Sequence, residues 1–72
     1  MTRIPSLAQR LTVAGYTVYV WPDTATERDD AFCVAVADAT GTVVTWDCEI
    51  VGYDAAVSAA RAAIDALTRE AA

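Results

Sequence analysis

The side chains with chemical potential in this sequence fall into three groups. Asp47 and Glu49 stand two apart in TWDCEIV, Glu27, Asp29 and Asp30 crowd one acidic run around Arg28, and there are two cysteines, Cys33 and Cys48. Carboxylates two apart share one face of a strand, where they suit acid–base work or a divalent cation. Calcium, however, takes about six or more oxygens, which neither acidic group supplies, so both are read as solvated faces. The chain has no histidine and no lysine, which removes the commonest general base and the Schiff-base amine. Ser6 reads as an ordinary first-turn residue and Ser58 as helix surface, neither with a base partner. No catalytic residue, cofactor or metal is assigned, and an enzyme is not expected.

The cysteines lack the CxxC spacing or the Cys/His clustering of a zinc site. They fall on neighbouring strands, but simple alternation turns Cys48 toward the core and Cys33 away from it. Their Cβ vectors then point apart, and two free thiols are expected.

Charge narrows the partners. Ten acids face five bases, all arginine, for a net charge of −5. Arg3, Arg10, Arg28, Arg61 and Arg69 are scattered singly, whereas phosphate binding rests on clustered cations that release counterions. Direct binding to nucleic acid is therefore disfavoured. No apolar run approaches the about 20 residues of a membrane span, and MTRIPSLAQRL lacks the apolar stretch of a signal peptide. A cytoplasmic protein without a membrane partner is expected.

With 72 residues, the chain is expected to form a single domain (1–72) with one core. Pro5 suits the first turn of a short helix, Leu7, Leu11 and Ala14 recur at helical spacing, and Gly15 offers a left-handed stop. YTVYVWP, AFCVAVAD and TVVTWDCEIV read as three strands, with DATG as a hairpin turn. Asp54 is placed to cap a long final helix carrying Ala56, Val57, Ala60, Ile64 and Leu67 on its buried stripe. The fold class expected is α+β: a three-stranded antiparallel meander with the short N-terminal and long C-terminal helices on one face, in the order α-β-β-β-α.

Alternation puts Tyr16, Val18, Val20, Phe32, Val34, Val36, Val44, Trp46, Cys48 and Ile50 under the helices. The opposite face, with Tyr19, Trp21, Asp47 and Glu49, is then left open. Contiguous exposed aromatic area on so small a body marks a partner surface, and Tyr and Trp are enriched at binding hot spots.

The stretch FCVAVADATG…GYDAAVSAARAAIDAL, taken with the expected element order, resembles a double-stranded-RNA-binding domain. That resemblance implies the fold. It does not bring the activity, because Asp54, Ala55, Ala56 and Ala59 stand where the family keeps phosphate-gripping lysines, and the first strand-to-strand loop carries Glu27, Asp29 and Asp30. A second resemblance, to HicB-type antitoxins, rests on the strand-strand-strand-helix order, Gly52 and Asp54, and implies an RNase partner. The leading functional expectation is a small acidic non-catalytic protein-binding module. It would use Tyr19, Trp21, Glu27, Asp29, Asp30, Asp47 and Glu49 against a basic protein, in the manner of phage inhibitors of the anti-CRISPR type that block nucleic-acid machines. The alternatives are a self-associating homodimer, through the open face or the alanine row of the helix, and the antitoxin.

Overall fold

The computed structural model describes residues 4, 5 and 7–71. Four strands, β1 (Gln9–Val13), β2 (Tyr16–Pro22), β3 (Ala31–Ala37) and β4 (Val43–Val51), precede one helix, α1 (Tyr53–Ala71). The strands form one antiparallel meander in the order β1-β2-β3-β4. This β-β-β-β-α order corrects the expected α-β-β-β-α architecture. With it goes the double-stranded-RNA-binding resemblance, which needs a helix ahead of the sheet, and the three-stranded HicB-type order.

The first element is a strand because its local signals serve a hairpin better than a helix. Ala14 and Gly15 both take positive φ, 51° and 85°, which is the mirror-image two-residue turn that matches strand twist. A helix stop would need only one such residue. In LTV-AG-YTV, Leu11 faces Val18 and Val13 faces Tyr16, so apolar residues pair across the turn. The helical spacing of Leu7, Leu11 and Ala14 buries nothing comparable: Leu7 is 95% exposed. Pro5 opens a single turn, its carbonyl accepting the Ala8 N–H at 3.1 Å. The role expected for Ser6 lies outside the described residues.

Helix α1 covers one face of the sheet. Ala56, Ala60 and Ile64 pack on Val18, Val20, Val34 and Val36, with Leu11, Tyr16, Phe32, Ile50, Tyr53 and Val57 around them. Small side chains on the stripe let the helix axis sit close to the strands. Phe32 and Tyr53 meet edge-to-face at 5.9 Å. The helix begins at Tyr53, with the Gly52 carbonyl accepting from Ala56, so Asp54 lies in the first turn rather than at the cap. There it still faces the positive end of the helix. Of the Arg61, Asp65, Arg69 row, Asp65 and Arg69 pair at 2.7 Å on the exposed side. The row Ala55, Ala59, Ala62 and Ala66 looks outward, Ala59 half-buried and the others exposed. Among the described residues, no helix is long and apolar enough to cross a membrane.

The other face of the sheet is not bare, which corrects the second expectation. Trp21, Cys33 and Ala35 form a second buried cluster, flanked by Tyr19, Trp46 and Cys48 and covered by Ile4 and Ala8 from the segment before β1. Trp21 is only 7% exposed and meets Trp46 edge-to-face at 5.1 Å. Because Ile4 and Ala8 precede a strand and belong to no helix on the other face, they can lie over this one. Tyr19 is half-buried and, with Ile4, Pro5, Ala8 and Arg10, lines a hollow of about 410 Å³.

Candidate functional site

The site is built where the loop between β2 and β3 meets the end of β4. Pro22 ends β2, since it cannot donate to a ladder, and Asp23 follows it into the loop. The Asp23 N–H donates to the Ala31 carbonyl at 2.9 Å, closing the loop at its base. The side chain of Asp23 is buried, 7% exposed, and accepts two backbone N–H bonds: Oδ1 from Ala25 and Oδ2 from Glu49, each at 3.0 Å. The first is a local turn of the kind aspartates make two residues on. The second reaches across to β4.

That second bond fixes a bulge. Phe32 pairs with Ile50 and Val34 with Asp47, so Cys48 and Glu49 together oppose Cys33. Glu49 takes a positive φ of 59° without being glycine. The extra residue shifts the alternation of β4. Ile50 stays on the helix face, Trp46 and Cys48 join the opposite cluster, and Asp47 shares the helix side with Val34. This corrects the expected facing of Trp46, Cys48 and Asp47. It also corrects the argument for keeping the thiols apart, since both cysteines now lie on one face.

Cys33 Sγ, Cys48 Sγ and a carboxylate oxygen of Asp23 lie within 4.8 Å of one another. Both cysteines are free thiols, Cys33 buried and Cys48 half-buried. Burial, then the neighbouring Cys48 and the Asp23 carboxylate, push the Cys33 thiol up to about 12. It is therefore a neutral thiol at physiological pH.

Above this cluster the surface is acidic. The Gly52 N–H donates to the Asp30 carbonyl at 2.8 Å, which brings the β2–β3 loop against the start of α1. Glu27, Asp29, Asp30, Glu49 and Asp54 are thereby gathered at one end of the sheet, all exposed, with Asp47 further along β4. Arg28 forks onto Asp30 at 3.0 and 3.3 Å and holds its carboxyl below the usual carboxylate range. Among the described residues the remaining ion pair is Asp65–Arg69, on the far stretch of the helix. Beside the acids runs β4, an edge strand whose Val43, Val44 and Val51 are more than 40% exposed.

The structure thus places Glu27, Asp29, Asp30 and Glu49 at one end of the sheet, puts Asp47 further along β4 on the helix side, and separates Tyr19 and Trp21 from them into the second cluster. Asp23 is the candidate-site residue that sequence reasoning missed. Its signal was the strand-ending Pro22 followed by an aspartate two residues ahead of Ala25, the pattern of a local side-chain turn. No protein-family model, curated protein or solved structure matches this chain.

Proposed function

We propose that this chain is a non-catalytic binding module that docks its acidic end onto a basic surface of another protein, of the kind that otherwise holds nucleic acid. The observation that carries this reading is the placement of exposed Glu27, Asp29, Asp30, Glu49 and Asp54 at one end of the sheet, where the Asp30–Gly52 bond holds the loop against the start of α1 and Arg28 pairs with Asp30. Like charges held together on a small body attract a basic partner through long-range steering that weakens with salt. The free edge of β4 offers backbone groups for an added strand, a common route by which a partner segment is fixed once charge has brought it close. Trp21 has no part in this contact, since its ring is spent on the second core, and Tyr19 belongs to the hollow on that side.

The test is a titration of the isotope-labelled chain with an arginine-rich peptide at low salt. Amide shifts concentrated in residues 27–30 and 47–54, disappearing as salt is raised, support the reading. So does their loss in a Glu27→Arg/Asp29→Arg variant. Shifts confined to the exposed alanine row of α1, or no binding at low salt, refute it. Light scattering that finds a dimer would favour self-association instead.

A further inference from the structure

We propose that Asp23, Cys33 and Cys48 form a binding site for a borderline-soft divalent cation of the zinc class. The inference stands apart from the acidic end and needs no partner protein.

Three observations meet at this point. The donor atoms come from three separate stretches of chain, the β2–β3 loop, β3 and the β4 bulge, yet lie within 4.8 Å of one another. Tetrahedral zinc holds thiolate sulfur at about 2.3 Å and carboxylate oxygen at about 2.0–2.2 Å, which separates neighbouring ligand atoms by about 3.5–3.8 Å. The cluster is near that spacing before any ion draws it in. Two thiolates with one carboxylate suit zinc, whereas calcium and magnesium ask for oxygens alone.

The second observation is the carboxylate itself. Asp23 is more than nine-tenths buried, and neither ion pair among the described residues involves it. A buried carboxylate without a cation is costly. Its two backbone N–H bonds occupy one lone pair on each oxygen and orient the group, as hydrogen bonds behind a metal ligand do. Among the described residues its one further neighbouring donor is the Cys33 thiol, which gives up its proton on binding a metal.

The third is the bulge. Glu49 carries a left-handed backbone that a non-glycine residue adopts only at a cost, and the consequence of that backbone is to bring Cys48 onto the face of Cys33. Aromatic and aliphatic neighbours, Trp21, Trp46 and Ala35, keep one side of the cluster dry. Half-buried Cys48 leaves the other side open for a water as fourth ligand. On binding, both thiols lose their protons to solvent, and the cation replaces them.

The experiment uses the full chain, kept reduced by a phosphine, with cobalt(II) and then zinc(II) as probes. Expected is one equivalent of cobalt with strong thiolate-to-metal absorption and tetrahedral visible bands, erased by an equivalent of zinc. Cys48→Ser, which removes one of the two sulfurs, should cut the thiolate absorption by at least half. It should also weaken zinc by more than the about 10–100-fold lost with an outer hydrogen-bond partner. Asp23→Asn should leave sulfur absorption but weaken zinc. Asp65→Asn, on the outer face of α1, should change nothing. Cobalt bound without thiolate absorption overturns the proposal, as does zinc affinity unchanged in Cys48→Ser or the absence of any binding by the folded, reduced chain.

Discussion

The carboxylate of Asp23 accepts the backbone N–H of Glu49, 26 residues further along the chain, at 3.0 Å. One bond thereby ties the end of β2 to the kink in β4. The two strands are not neighbours in the sheet, so this tie crosses over the end of β3.

Replacing Asp23 should therefore disturb more than a loop. Asp23→Ala strands the Glu49 and Ala25 N–H groups in a part-buried place, at about 1–3 kcal/mol for each unsatisfied donor. Urea unfolding should show a loss in the range of one to two such donors, with Asp23→Asn, which keeps one acceptor oxygen, falling between. Hydrogen exchange at the Glu49 amide should accelerate in step. A variant as stable as the parent would remove the tie from the account.

Trp21 should behave as core. Trp21→Ala is expected to cost about 3–5 kcal/mol, a large share of what so small a domain holds. Chemical denaturation with tryptophan fluorescence measures it, with Trp46 as the remaining reporter. A surface hot spot would instead lose partner affinity and leave stability within about 0.5 kcal/mol.

The β1–β2 turn invites a stabilising change. Ala14 pays for a left-handed backbone that asparagine tolerates better, and Asn-Gly is the favoured pair for this mirror-image turn. Ala14→Asn should stabilise the chain by about 1 kcal/mol, a rise of about 4–8 °C in Tm for a domain of this size. A fall in Tm would argue that residues 9–16 do not form this hairpin.

Cys33 gives stability a pH dependence of known sign. Its thiol titrates at about 12 in the folded chain against an ordinary value of 9.0, so folding favours the protonated form. That contribution is complete below pH 9 and is lost as pH rises toward 12, because the unfolded chain gives up the proton first. In the metal-free protein, Tm should fall across that window, and less so in Cys33→Ala. Alkylation followed by mass spectrometry at pH 8 should label half-buried Cys48 well before Cys33.

How far these features could be read in advance follows from the range of the forces behind each. β2, β3 and α1 announce themselves locally, through Tyr16-Val18-Val20, Phe32-Val34-Val36 and the stripe from Ala56 to Ile64, and the structure keeps those faces. Gly15 was ambiguous, because a left-handed glycine ends a helix and turns a hairpin equally well. Read as a helix stop, it removes β1 and leaves Trp21 without the cover that Ile4 and Ala8 provide. The bulge was invisible for another reason. Nothing in TWDCEIV marks Glu49 as left-handed, since no glycine or asparagine stands there. The bond from distant Asp23 stabilises that backbone, and strict alternation through Asp47, Cys48 and Glu49 then misassigned Cys48. The acidic end was legible as composition, while its convergence needed the contact between Asp30 and Gly52.

The thiol cluster depends on the kink at Glu49, and a nuclear Overhauser spectrum of the reduced chain reads that kink directly. Cross-peaks from the Cys48 β-protons to those of Cys33 and to the Trp46 or Trp21 rings, together with Ile50 contacts to the helix, are the result expected. Cys48 cross-peaks to Val57 or Ile64, placing it under the helix beside Ile50, would contradict the account.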